Sequence, residues 1–200
     1  MPSRATKATQ LIEYLRERHV ARSRDIEGIG ISREYLRKLT ARGLVQRVGR
    51  GLYALPDSQA SEHRSLVEAT HLVPDGIICL LSALQFHGLT TQMPREVWMA
   101  VDQEAWKPHP RGLRVVKFSG GALNEGVEEH QIEGTSILVY SPPKTVADCF
   151  KFRNKIGLDV AIEALRECSR QRRCSADQLW HYAKICRVAN IMRPYLEVVT

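Results

Sequence analysis

Residues 31–55, ISREYLRKLTARGLVQRVGRGLYAL, carry the signals for a helix and for its end. Ser32 is a favourable N-cap, because its hydroxyl can accept a hydrogen bond from a free amide of the first turn. Leu36 and Leu39 place two apolar side chains on one face at helical spacing. Gly43 then supplies the residue type that most easily adopts the left-handed conformation that ends helices. The stretch therefore predicts a short amphipathic helix.

The residues after this helix predict a hairpin. Two strand-like runs, Leu44–Val48 and Leu52–Leu55, are joined by the turn Gly49-Arg50-Gly51. Upstream, a helix with Leu11, Ile12, Leu15 and Val20 on its apolar face precedes a shorter helical segment. Helix, short helix, turn, helix and hairpin follow one another as in a winged helix-turn-helix, so we expect residues 1–56 to form such a DNA-binding domain. A winged domain that contacts protein or RNA is the alternative.

In a winged helix-turn-helix, the helix that starts after Ser32 would be the recognition helix. This helix and the hairpin would present six polar side chains to DNA, namely Ser32, Arg33, Arg37, Lys38, Arg47 and Arg50. The three helix cations would enter the major groove or its edge, and Arg37 is expected near the middle of the face opposite the leucines. Ser32 would offer its hydroxyl or the amides of the helix start to a phosphate. The two hairpin arginines would hold the flanking backbone or the adjacent minor groove.

The distribution of charge supports a polyanion-binding N-terminus. The 200 residues carry a net charge of +7. Residues 1–55 contain 12 Lys or Arg against 5 Asp or Glu, whereas the remaining residues contain 17 of each. The whole positive excess therefore lies in the first quarter of the chain, as expected for a DNA-binding module joined to a neutral one.

The second part of the chain, residues 61–200, follows a linker at Pro56–Gln59 and predicts an α+β domain. The apolar run Ile77–His87 predicts a buried central helix. Strand-like runs predict a small, mostly antiparallel sheet, and they cover Val97–Val101, Leu113–Phe118, Val127–Ile132 and Ser136–Tyr140. A helical tail follows, with Pro143 at a first helical position and a capping box at Ser175–Gln178.

No constellation in the sequence predicts catalysis, a cofactor or a metal. Asp102 and Glu104 follow a strand as metal-binding carboxylates do, but no phosphate loop precedes them and Trp106 stands where a nuclease would need lysine. The five cysteines, Cys79, Cys149, Cys168, Cys174 and Cys186, include no CxxC pair. We therefore expect free thiols without disulfide or zinc. No signal peptide or membrane-spanning run is evident, which predicts a cytoplasmic protein.

Three segments resemble one known family. EYLRKLTARGLVQRVGRGLYAL is similar to the N-terminal winged domain of the AbiEi antitoxins of type IV toxin-antitoxin systems. ICLLSALQFHGLT and VYSPPKTVADCFKF resemble the C-terminal domain of that family. The resemblance covers nearly the whole chain, and the combination of the three segments is what identifies the family.

The resemblance implies a bacterial transcriptional repressor that binds double-stranded DNA at inverted repeats in its own promoter. It further implies an antitoxin role carried largely by the C-terminal domain. The opposed toxin would be an AbiEii-type, nucleotidyltransferase-like protein, which such antitoxins counteract without a required stable complex. The alternative from a different class is a nucleic-acid-processing enzyme with a winged targeting domain, which metal-dependent turnover of nucleic acid would reveal.

Overall fold

The computed structural model describes residues 6–49, 51–56, 63–105 and 112–199. The chain divides into two compact units. The first comprises Met1–Leu72 and Gln131–Ser136, and the second comprises Val73–His130 and Ile137–Thr200. The linker predicted at Pro56–Gln59 falls mostly outside the described residues, and the division into domains 1–56 and 61–200 stays a prediction.

The described residues of the first unit up to Leu72 form four helices and three strands. In chain order they are α1 (Lys7–Arg18), β1 (Val20–Arg22), α2 (Ser23–Gly28), α3 (Arg33–Ala41), β2 (Gln46–Gly49), β3 (Leu52–Ala54) and α4 (Arg64–Leu72). The strands form an antiparallel sheet in the order β1-β3-β2. The helix and hairpin predicted within residues 31–55 are both present, while β1 was not predicted, because Val20 was assigned to the first helix.

The ends of α3 follow directly from its sequence. The Ser32 hydroxyl accepts a hydrogen bond from the Tyr35 amide at 3.3 Å, so the predicted N-cap is confirmed. At the other end Gly43 has φ +71°. The Gly43 amide donates to the Thr40 carbonyl at 3.0 Å and the Leu44 amide to the Leu39 carbonyl at 3.1 Å. This pair of bonds is the Schellman arrangement, which satisfies carbonyls that the helix end leaves free.

The core of the first unit is built from α1, α2, α3 and the sheet. Its main buried cluster contains Leu11, Leu15, Ala21, Ile26, Ile31, Leu36, Leu39 and Val45. A smaller cluster joins Val20, Leu52, Ala54 and Val67, and Ile132 from the segment Gln131–Ser136 packs against it. Within that segment Gly134 lies so near α1 that an added Cβ would approach the Glu17 carbonyl oxygen to 2.8 Å. Glycine is therefore required at this position for steric reasons.

The second unit is an α+β structure with a helical tail, as predicted. Its strands, including two that extend into the segment Gln131–Ser136, are β4 (Ile77–Ile78), β5 (Val97–Asp102), β6 (Leu113–Phe118), β7 (Val127–Ile132) and β8 (Thr135–Tyr140). Its helices are α5 (Leu80–Phe86), α6 (Gly121–Asn124), α7 (Pro142–Lys151), α8 (Arg153–Ile156), α9 (Leu158–Arg170), α10 (Ala176–Ile185) and α11 (Ala189–Val199). The Ser175 capping box at the start of α10 is confirmed, with both of its hydrogen bonds present.

The five-stranded sheet, in the order β6-β5-β4-β8-β7, is mixed. Strands β4 and β5 pair antiparallel, but β4 with β8 and β5 with β6 pair parallel. The prediction of a mostly antiparallel sheet is therefore corrected for these pairs. Strand-like runs that follow one another in sequence resemble hairpins, whereas parallel pairs arise from longer connections that carry no local signal.

The sequence predicts a single helix for Ile77–His87, but the run forms a strand followed by a helix. Ile77 and Ile78 form β4, which lies between β5 and β8 in the middle of the sheet. Cys79 precedes α5, and Leu80 has φ +47° where the chain changes direction. Because a central strand and a buried helix are both continuously apolar, periodicity could not separate them.

The end of α9 also departs from expectation, because Cys168 and Cys174 form a disulfide with a Cα–Cα distance of 5.7 Å. Arg172 has φ +52°, and the Arg173 amide donates to the Cys168 carbonyl at 2.9 Å. This tight reversal brings Cys174 back over the last turn of the helix. The expectation of five free thiols is therefore wrong for this pair, while Cys79, Cys149 and Cys186 are free and buried.

Candidate nucleic-acid interface

The outer face of α3 is strongly polar. Leu36 and Leu39 are buried at 1% exposure each, and the opposite side presents Arg33, Glu34, Arg37, Lys38 and Ala41 to solvent. With about 3.6 residues per turn, Glu34 and Ala41 lie nearest the middle of this face. Arg37 lies to one side of them and Lys38 to the other. Arg37 was predicted at the middle of this face, but Glu34 occupies that position. The reason is that the direction midway between Leu36 and Leu39 lies opposite Glu34 and not opposite Arg37.

Two of the three cations predicted on α3 are already ion-paired. Arg33 Nε lies 2.7 Å from Glu27 Oε1, and Lys38 Nζ lies 2.7 Å from Glu34 Oε1. Arg37 is exposed and has no ion-pair or hydrogen-bond partner in the ranges that the structure describes. Exposed pairs are weak, so both paired cations can exchange a carboxylate for a phosphate at small cost. Arg37 needs no such exchange.

The hairpin places its predicted cation on an exposed strand position. Arg47 stands opposite Tyr53 in the ladder, and its Nε donates to the Gly49 carbonyl at 3.0 Å. The register shifts between Arg47 and Gly49, which marks a bulge next to the turn. Arg50, the sixth residue predicted to contact DNA, lies outside the described residues.

One exposed cation near this surface was missed by the sequence analysis. Arg42 is the C-cap residue of α3, directly before Gly43. It follows the Leu36 and Leu39 positions that mark the amphipathic pattern. Cations are also common at helix C-termini for electrostatic reasons alone, so this residue type at this place gave no distinctive signal.

Not every cation of the first unit is available to a ligand. Arg22, on β1, is partly buried, and its Nη2 donates to the Thr70 carbonyl at 3.4 Å. Burial lowers the pKa of this guanidinium, and the nearby Arg24 lowers it further. Arg22 therefore holds the unit together internally, while the exposed cations of α3 and β2 remain the candidates for DNA contact.

Among the described residues, Asp102 and Glu104 do not belong to a group of side chains that could hold a metal ion. Asp102 Oδ1 accepts a hydrogen bond from the Glu104 amide at 2.8 Å, a local turn. Lys117 Nζ donates to the carbonyl oxygens of Asp102 and Ala105. Within residues 6–49, 51–56, 63–105 and 112–199, no three His, Cys, Asp or Glu side chains are grouped so as to hold a metal ion. The geometry around Asp102 thus reflects turn formation.

The segment PPKTVADCF, one of those that resemble the antitoxin family, forms the buried part of α7. Lys144 and Asp148 are both fully buried, and their Nζ and Oδ2 atoms lie 2.6 Å apart. The Cys186 thiol donates to the other carboxylate oxygen at 3.2 Å, and Lys144 Nζ lies 3.9 Å from the Tyr140 ring centroid. Burial raises the pKa of Asp148, and Lys144 opposes this shift. The segment therefore organises the core.

His87 is part of a second buried network. Its Nε2 lies 2.7 Å from the Tyr140 carbonyl and its Nδ1 lies 3.3 Å from Arg173 Nη2. Arg173 can only donate, so Nδ1 accepts and Nε2–H donates, which makes the imidazole neutral. Burial lowers the pKa of His87, and Arg173 contributes in the same direction.

The N-terminal segment is similar to one family of known proteins. Residues 10–56 match the family model described as "Transcriptional regulator, AbiEi antitoxin". The resemblance to AbiEi is thus confirmed over this segment, about a quarter of the chain. No curated protein matches the chain.

A solved structure extends the comparison to the whole fold. The chain is similar to the crystal structure of the RV2827C protein from Mycobacterium tuberculosis, with a TM-score of 0.62 and 13% sequence identity. The match covers 97% of this chain and 80% of that one. At this identity the likeness concerns the fold alone. No helix in the described ranges is long and apolar enough to cross a membrane.

Proposed function

We propose that this protein is a cytoplasmic transcriptional repressor whose N-terminal unit is a winged helix-turn-helix, and that it binds inverted repeats in its own promoter. The observation that carries the proposal is the outer face of α3, where exposed cations lie opposite a leucine-anchored buried face. The family match over residues 10–56 and the +7 excess in residues 1–55 support it. Helix α3 would lie in the major groove, with the β2–β3 hairpin beside it.

In this proposal the six predicted contacts divide into two kinds. Arg37 reads a guanine edge, since an unpaired arginine can form two parallel hydrogen bonds to the O6 and N7 atoms. Arg33, Lys38, Arg47 and Arg50 hold phosphates and set the register. The Ser32 oxygen already accepts from Tyr35, so its hydroxyl proton and the free first-turn amides are what it offers to a phosphate.

The second part of the proposal is an antitoxin role. The AbiEi match supports opposition to an AbiEii-type, nucleotidyltransferase-like toxin, and the second unit is the proposed carrier of that activity without a required stable complex. No feature of the described residues favours the alternative of a nucleic-acid-processing enzyme, and we propose that the protein is not an enzyme and needs no cofactor.

The test of repression is binding of the full chain to the region upstream of its own gene. Fluorescence anisotropy at several salt concentrations should give an affinity for this DNA about 10³-fold or more above that for random DNA of equal length. Footprinting should protect two halves of an inverted repeat. Equal affinity for both DNAs would reject sequence-specific repression.

The antitoxin role is tested separately by growth. A toxin encoded beside this gene is expressed from an independent promoter, so that repression cannot contribute. Because the segment Gln131–Ser136 belongs to the first unit, the full chain carrying Arg37→Ala is a cleaner variant than a truncation. The variant should bind the promoter roughly 5- to 150-fold more weakly and still relieve toxicity. Loss of both would show that relief depends on DNA binding.

A further inference from the structure

The second unit contains a cavity of about 520 Å³ that the proposed function does not use. It is formed by the loop Ser119–Ala122 after β6, by Lys151 and Arg153 where α7 meets α8, and by Ile185–Val188 with Ile191 where α10 meets α11. We call this set the basic cavity. Its volume falls within the range of about 300–1,000 Å³ that is typical of small-ligand sites.

Three cations line the basic cavity, and no carboxylate does. Lys151, Arg153 and Arg187 have no ion-pair partner among the described residues. Arg153 uses Nη1 to donate to the Phe150 carbonyl at 3.0 Å, which leaves its other donors free. Glu125 is not a lining residue, but its Oε1 would lie 2.8 Å from a Cβ added at Gly121, while its Oε2 lies 3.2 Å from His181 Nε2. Three cations without an ion-pair partner among the described residues, placed around one space, favour a multiply charged anion.

Arg187 occupies a backbone position that is costly for arginine. It has φ +59°, and the Val188 amide donates to the Ala183 carbonyl at 2.8 Å, which closes α10 in the same way as α3 and α5 are closed. At the corresponding positions of α3 and α5 the chain has Gly43 and Gly88. A residue held in a strained conformation at the wall of a cavity points to a role for that residue.

The rest of the lining is suited to a ligand with an apolar part. Ala122, Ile185, Val188 and Ile191 form an apolar wall, and Gly120 has φ +55° with no atom within 4 Å of an added Cβ. The backbone of the loop can therefore approach a ligand closely. Each arginine can bind two oxygens of a phosphate through two parallel hydrogen bonds. We propose that the basic cavity binds a nucleoside di- or triphosphate, with its phosphates on the three cations and its base against the apolar wall.

The experiment is isothermal titration of the full chain with ATP, ADP, adenosine and tripolyphosphate. ATP should bind in the micromolar range, tripolyphosphate at least tenfold more weakly, and adenosine not measurably. Arg187→Gly should weaken ATP binding by about tenfold or more, since each arginine–phosphate contact is a charge-assisted hydrogen bond. The variant should fold, because glycine relieves the left-handed strain.

Arg172→Gly is the matched control. Arg172 ends α9 with φ +52° in the same local structure but does not line the basic cavity, so its variant should bind ATP within twofold of the unmodified protein. Lys151→Gln and Arg153→Gln should each weaken binding, and Arg37→Ala should not. Absence of ATP binding at millimolar concentration, equal losses for the two glycine variants, or tighter binding of tripolyphosphate than of ATP would each overturn the proposal.

Discussion

Replacing Arg37 with alanine is the most direct test of how α3 contacts DNA. Arg37 is exposed, lies on the polar face of α3 and has no ion pair among the described residues. Its guanidinium would therefore reach a guanine edge without breaking an existing contact. Alanine has a high helix propensity, so the substitution should leave the fold intact. Any loss of binding then reports on the lost contact.

The expected loss is about 1–3 kcal/mol on the specific site, or roughly 5- to 150-fold in affinity. Arg33→Ala should cost less. The side chain removed there already forms an exposed ion pair with Glu27, which is worth about 0.2–1 kcal/mol and must be given up on binding. The structure thus predicts that Arg37 is the more important of these two arginines for specific binding.

The assay is fluorescence anisotropy on the promoter site and on random DNA of equal length, over a series of salt concentrations. Arg16→Ala is the control, because it removes the same charge from the exposed side of α1. The Arg37→Ala variant should lose affinity mainly for the specific site, and its base preference should relax at one position. Equal losses on both DNAs, with a salt slope lower by about one, would refute base reading and assign Arg37 to a phosphate.

Three further predictions concern the second unit. Lys144→Met should destabilise the protein by about 3–5 kcal/mol in urea unfolding, because it leaves the buried Asp148 carboxylate unpaired. Adding Asp148→Leu should recover most of this loss. A cost below about 1 kcal/mol for the single variant would contradict the buried pair. The pKa of His87 is lowered in the folded state, so the unfolded chain binds more protons at low pH. The free energy of unfolding should therefore fall as pH drops through about 6.5, and less steeply in His87→Asn. Equal pH slopes for the two proteins would show that the pKa of His87 does not change on folding. Thiol counting in denaturant should give three reactive cysteines without reductant and five with it, and five in both conditions would contradict the Cys168–Cys174 disulfide.

The sequence predicted the elements whose ends are stabilised by residues close to them in the chain. Helix α3 has its own N-cap at Ser32 and its own glycine stop at Gly43, and α10 has its own capping box, so each was found from neighbouring residues. Strand β6 was bounded correctly because its sequence has strand-like character between turn residues. The Lys38–Glu34 pair also obeys helical spacing and is visible in the sequence once the helix is accepted.

Elements that depend on distant partners were not predicted. Strand β1 has only three residues and exists because it pairs with β3, more than 25 residues later in the chain. Strand β4 is two residues long, and only its neighbours in the sheet distinguish it from the helix that follows. Parallel pairing and the reversal that joins Cys168 to Cys174 likewise arise from the path of the chain.

For the candidate interface the division is similar. The sequence by itself determined that the positive excess lies in residues 1–55 and that Ser32, Arg33, Arg37, Lys38 and Arg47 belong to a helix and a hairpin. Only the tertiary structure decided which of the helix cations is unpaired, because Glu27 reaches Arg33 from a different helix. The basic cavity is likewise a property of the tertiary structure, since its three cations belong to segments up to 36 positions apart that packing brings around one space.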